Sequence, residues 1–161
     1  YLDWKDTKYW PVEKLNMLGE FKIRRPDILL AMDRPWISSG LKICLYEDDS
    51  KPAYLVQRVA RIRSKNTVYN DFIFASLNSK AFERHCKPTE TTIPHISPIE
   101  LKEFKLFDIP VNELERFSSL ATKIRSRITK YKLSNKKHDY LFKALTQQAF
   151  NGQLSKPTQT S

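Results

Sequence analysis

The sequence predicts an α+β fold: a mixed domain of short strands and helices over residues 1–110, one long helix of coiled-coil type at 111–154, and a flexible tail at 155–161. Three observations predict it. Short apolar runs bounded by Pro, Gly, Ser and Asp fill residues 27–64, which is the pattern of strands. From Asn70 the apolar spacing changes to three and four, the helical period. From Glu113 to Phe150 neither Gly nor Pro interrupts a heptad seam carried by Leu114, Phe117, Ala121, Ile124, Ile128, Tyr131, Phe142, Leu145 and Ala149. A chain of 161 residues that is 40% apolar can bury one core and carry such a helix, but hardly two domains.

Residues 1–25 mix aromatics (Trp4, Tyr9, Trp10, Phe21) with charge and show no period, so irregular or short extended structure is expected. Asp27 to Met32 follows Pro26 and reads as a buried strand. Residues 33–40, rich in turn formers, read as a loop carrying Arg34 and an exposed Trp36. Leu41 to Tyr46 is a second strand, residues 47–52 an acidic turn, and Ala53 to Ser64 a third strand, in which Arg58 breaks the alternation by falling on the apolar side. Phe72, Ile73, Leu77 and Phe82 suit a helix of about three turns that ends before Pro88. Thr89 to Thr92 reads as loop and Ile93 to Ile96 as a short extended piece. Ser97-Pro98-Ile99-Glu100 is a helix start, with Ser as cap, Pro at the first helical position and Glu three after the cap. Leu106 to Ile109 reads as a strand. Pro110 then stops the chain, Asn112 caps the long helix with Glu115 at capping-box spacing, and Asn151-Gly152 ends it.

The seam helix is about 55 Å long at ~1.5 Å per residue, more than a domain of this size can cover. It needs a partner helix, from this chain or another molecule. Asn135 and His138 at seam positions fit a break that sets register. The charge is +10, from 28 Lys and Arg against 18 Asp and Glu, and it is spread along the chain. A basic folded domain points first to a polyanion, with nucleic acid ahead of membrane or acidic protein. No run of 18 apolar residues exists, so no membrane span is expected. Cys44 and Cys86 lack ligand spacing and read as free thiols in a reducing cytoplasm.

No catalytic constellation stands out. With three Gly there is no phosphate-cradling loop, and the three histidines, His85, His95 and His138, form no metalloprotease motif. Asp27 and Glu47 with Lys51 could form a nuclease metal cluster and His85-Cys86 a zinc half-site, but ordinary surface roles for such residues are far commoner. No metal and no cofactor is therefore expected. What remains is a basic surface suited to duplex DNA. Arg forks onto guanine, Gln and Asn pair with adenine, and Lys or Arg on phosphates fixes position. The candidates are loop residues Arg34, Trp36, Ser38, Ser39 and Lys42 and strand residues Gln57, Arg58 and Arg61. The long helix is basic too, with nine Lys or Arg against three acidic residues over 113–150. A solvated face is the commoner fate of such charge.

Residues 27–42, Asp-Ile-Leu-Leu-Ala-Met-Asp-Arg-Pro-Trp-Ile-Ser-Ser-Gly-Leu-Lys, resemble the central segment of the target recognition domain in type I restriction–modification specificity subunits. Gln57-Arg-Val-Ala-Arg61 looks like that domain's next strand. Ile93-Pro-His-Ile-Ser-Pro98 with Leu101-Lys102 resembles the approach to the family's spacer, and Leu145 to Leu154 its C-terminal signature. Where the family usually carries a second Pro and a Gln, this chain has Val111 and Arg116.

The resemblance implies a non-catalytic component of a DNA methyltransferase/endonuclease complex. Each half of such a subunit pairs a DNA-reading domain with a spacer helix. Two halves set their helices antiparallel, and each half reads one part of a split target in double-stranded DNA. The helices dock the methyltransferase (modification) subunit, which methylates adenine from S-adenosylmethionine, and the complex recruits the restriction subunit. One half in place of two leaves a fragment of a longer subunit, or a half-subunit that forms a homodimer through Leu114 to Ala149. The alternative is a degenerate half acting mainly as a helix-mediated protein-interaction module. An independent nuclease would need a clustered metal site.

Overall fold

The structure is a computed structural model that describes Trp4 and residues 7–47, 50–86 and 94–153, without the side chains of 14–16. The expected acidic turn at 47–52, the loop at 89–92, the extended piece at 93–96 and the tail at 155–161 fall wholly or partly outside the described residues. Strands β1 (Ile28–Ala31), β2 (Trp36–Ile37), β3 (Gly40–Leu41), β4 (Ile43–Leu45) and β5 (Val59–Ile62) come first. Helices α1 (Asn70–Leu77), α2 (Lys80–His85), α3 (Pro98–Glu103) and α4 (Val111–Phe150) follow. The α+β expectation holds. The chain divides into two compact units, Tyr1–Ser118 and Ser119–Ser161.

In the first unit β1 is the middle strand of an antiparallel sheet ordered β4-β1-β5. Its register sets Leu29 opposite both Cys44 and Arg61. Alternation along β1 then makes two cores. Ile28 and Leu30, both fully buried, face Leu77, Phe82, Cys86 and Ile96, with Trp36, Leu41 and Phe104 packed alongside. Leu29 faces the other way, with Ile23 and Tyr46. Each such side chain taken from water contributes about 1.5–3 kcal/mol, so β1 holds both layers together. Asp27, 1% exposed, anchors the strand's entry. Its carboxylate accepts from Arg63 Nε at 2.6 Å, Arg63 Nη2 at 2.7 Å and the Arg24 amide at 2.8 Å.

Several expectations are corrected. Residues Val12–Phe21 form a 3-10 helix rather than irregular or extended chain. The expected loop at 33–40 holds a hairpin, with Trp36 opposite Leu41 and Ile37 opposite Gly40 around the two-residue turn Ser38-Ser39. Trp36 is half-buried against the first core, not exposed. The expected strand at 41–46 is split at Lys42, whose amide donates to the Pro35 carbonyl at 2.6 Å. The expected strand at 53–64 narrows to β5. Tyr54 makes only an isolated bridge to Lys22, and a turn at Gln57-Arg58 intervenes, with Arg58 at φ 64°. The three-turn helix is two helices, because the Ser79 side chain caps a new start by accepting from the Phe82 amide at 3.3 Å. Leu106 to Ile109 is not a strand. It has no regular structure, and Phe107 is 85% exposed.

The α3 capping box forms as expected: Ser97 Oγ accepts from the Glu100 amide at 3.1 Å, and the Ser97 amide donates to Glu100 Oε2 at 2.7 Å. α4 begins at Val111, so Asn112 lies inside its first turn instead of capping it. Leu114 is 1% exposed, Phe117 meets Phe72 edge-on at 6.4 Å, and Ser118 Oγ donates to Asp71 Oδ2 at 2.6 Å. These contacts tie the first two turns of α4 to α1. In the second unit the helix continues with its apolar side chains open to solvent: Ile124 is 57%, Ile128 48%, Tyr131 68% and Phe142 72% exposed. It ends as expected at Gly152 (φ 67°), where the Gly152 amide reaches the Ala149 carbonyl and the Gln153 amide the Gln148 carbonyl, a Schellman closure.

Candidate nucleic-acid interface

Three segments of the first unit are knotted together beside the β2–β3 hairpin. The Met32 amide donates to the Arg58 carbonyl at 2.8 Å, the Arg34 amide to Pro94 at 2.9 Å, and the Ile96 amide to Met32 at 2.8 Å. Asp33 bridges His95 through the backbone. The Ala31 amide donates to Lys42 at 3.0 Å, so the end of the hairpin joins the same place. Both Arg34 (φ 44°) and Arg58 (φ 64°) adopt the left-handed backbone region. Side chains other than Gly, Asn and Asp enter that region at a cost of about 1–2 kcal/mol. The surrounding hydrogen bonds impose it, and strain held this way gathers at functional positions.

The knot and its hairpin bring together Arg34, Ser38, Ser39, Lys42, Gln57 and Arg58, all exposed. Trp36 is packed against the first core instead. Arg61 stands apart: its Nη1 donates to the Glu20 carbonyl at 2.7 Å and the Lys22 carbonyl at 3.0 Å, latching the segment before β1 to β5. The sequence reading missed Asp33. Its carboxylate accepts from Arg58 Nη1, with the Arg58 side chain 72% exposed. In sequence Asp33 is one turn former before Arg-Pro, and nothing ties it to a residue 25 positions away. Between the hairpin and the second face of the sheet lies an open groove of about 420 Å³, lined by Leu29, Ala31, Ile37, Ser39, Lys42 and Val59 among others.

Asp27, His85 and the two cysteines are engaged in the fold. Asp27 is buried in its arginine clamp. His85 Nε2 hydrogen-bonds the Glu100 carbonyl at 2.9 Å and its ring leans on Phe104. Burial raises both cysteine thiols, Cys86 to about 11, so neither is poised as a nucleophile. Among the described residues no three His, Cys, Asp or Glu side chains could hold a metal ion. No helix among them is long and apolar enough to cross a membrane.

The first unit thus presents a loop surface bearing exposed Arg34, Lys42 and Arg58, and the long helix leaves apolar side chains such as Ile124 and Phe142 open to solvent. Over about nine tenths of its length the chain is similar to type I restriction enzyme specificity subunits. It is 31% identical over 156 residues to the EcoAI specificity subunit of Escherichia coli, covering 92% of this chain and 26% of that protein. It is 28% identical over 144 residues to the MjaVIII specificity subunit of Methanocaldococcus jannaschii, covering 88% of this chain and 33% of that protein. The chain thus spans about a quarter to a third of the length of the curated relatives it matches. No family model matches it, and no solved structure does.

Proposed function

We propose that this chain is a sequence-specific DNA-recognition module of a type I restriction–modification enzyme. It is a non-catalytic component that directs methyltransferase and restriction subunits to one part of a bipartite target. The observation that carries this reading is the similarity to two specificity subunits along about nine tenths of the chain. The exposed cations support it. The backbones of Arg34, Lys42 and Arg58 are tied into one hydrogen-bonded knot. Phosphate contacts would fix register, and the forked arginines would read bases.

The long helix serves as the spacer. Its open apolar side chains from Leu120 to Leu145 support pairing with a second specificity half, in the same parent polypeptide or a second copy of this chain, and docking of the methyltransferase subunit. The test is the double variant Arg34→Glu, Lys42→Glu. Duplex binding at low salt is expected to disappear while helicity and solution mass stay at the parent values. Undiminished binding by the reversed-charge variant would remove this surface from the interface.

A further inference from the structure

We propose that Asp33 is the positioning residue of a guanine-reading arginine, Arg58; the assignment rests on the DNA-recognition reading above. A lone exposed arginine is a poor base reader, because its four side-chain torsions are free and any phosphate satisfies it. Arg58 is not free. Its backbone is held at φ 64° by the bond from the Met32 amide to its carbonyl, and the Asp33 carboxylate takes one N–H of Nη1. That carboxylate is itself set by the backbone bridge to His95 and by the Arg34 amide bonded to Pro94. Nε and Nη2 keep their N–H donors, which suit the paired acceptors O6 and N7 of guanine in the major groove.

The carboxylate also selects against the competing ligand. Half-exposed at 37%, it would sit within a few ångströms of any phosphate that Arg58 engaged, and like charges repel. A guanine edge is neutral and meets no such penalty. Arg58 itself and Arg34, the neighbour of Asp33, both hold left-handed backbone where Gly or Asn would cost less, which marks the place as one where geometry is kept for something other than stability.

The experiment measures binding of the full chain to the duplex motif it selects, and to a random duplex, across a salt series. The variants are Arg58→Gly, Arg58→Lys and Asp33→Asn. Gly fits the positive φ without strain, so Arg58→Gly removes the side chain alone. It is expected to lose preference for G·C at one motif position by about 10–100-fold while the salt slope for random DNA stays unchanged. Arg58→Lys keeps the charge, loses the fork, and is expected to lose the same preference. Asp33→Asn is expected to weaken preference at that position and to strengthen binding to random DNA. A purely structural Asp33 would weaken both together.

Three results overturn the proposal. Arg58→Gly could weaken motif and random duplex equally with the salt slope falling by about one, which means a phosphate contact. Asp33→Asn could leave the preference intact. The motif could survive in both Arg58 variants. If the parent chain selects no motif, the DNA-reading assignment itself fails and takes this one with it, whereas a motif retained by the variants removes only the arginine pair.

Discussion

Replacing Asp27 by Asn is the sharpest test of how the first unit is held together. The side chain is 1% exposed, and its two oxygens accept three N–H groups: Arg63 Nε, Arg63 Nη2 and the Arg24 amide. Asparagine offers one acceptor oxygen and one donor NH2. Whichever way the amide turns, a donor faces a donor in a buried place. Losing a hydrogen bond to a charged group costs about 1.5–3 kcal/mol. Arg63 is 40% exposed and can turn toward water, which recovers part of that. The net loss is therefore about 1–2 kcal/mol. At roughly 4 °C per kcal/mol for a domain of this size, the melting transition drops by about 4–8 °C. Thermal unfolding followed by circular dichroism near 280 nm reads this unit's packed aromatics. Arg63→Ala, alone and combined with Asp27→Asn, completes a double-mutant cycle, whose expected coupling is about 1–3 kcal/mol. Additive effects, or a loss below about 0.5 kcal/mol for Asp27→Asn, would refute the clamp.

Further outcomes follow from the same geometry. Leu114→Ala removes a side chain 1% exposed at the start of α4, and is expected to cost about 2–4 kcal/mol in urea unfolding of the first unit. Ile124→Asp with Ile128→Asp lies on the open seam. It should leave monomer stability nearly unchanged but abolish helix-mediated association, seen as a fall in solution mass by light scattering; an unchanged mass would mean the seam pairs with nothing. The Ser97 amide, foremost, holds the Glu100 carboxyl below the ordinary carboxylate range; burial opposes it as the second influence, and the Ser97 hydroxyl and the charges of His95 and His85 add smaller pulls downward. A group depressed in this way stabilises the fold above its unfolded pKa, and that stability is lost as pH falls through the folded value. Glu100→Gln should therefore show a shallower fall in melting temperature on the acid limb below about pH 4, the ordinary range for Glu.

Much of the fold was legible where local chemistry acts alone. Ser97, Pro98 and Glu100 carry the whole capping box within four residues, and Gly152 needs only its own freedom at positive φ. β1 showed as a compact apolar run because both its faces are buried. The long helix showed because its seam repeats. The hairpin at Trp36 to Leu41 did not, since two-residue strands are too short to display a period. Arg58 was noticed as a break in alternation, but its cause lies in the tertiary bond from Met32, which no local pattern encodes. The same holds for the interface. The exposed cations were named from composition and loop placement, whereas Asp33, 25 residues from its partner, became visible only once the chain was folded. Arg61 shows the converse. Its place on a strand suits a base reader, and the fold gives it two backbone carbonyls to hold.

The most direct test of the central claim is selection of duplexes from a random DNA library by the purified chain at low salt, where phosphate contacts are strongest. Enrichment of a short motif is expected, or of that motif and its inverted copy at a fixed spacing if two long helices pair. Tight, salt-sensitive binding with no enriched sequence would contradict the claim, leaving a basic surface without a reader.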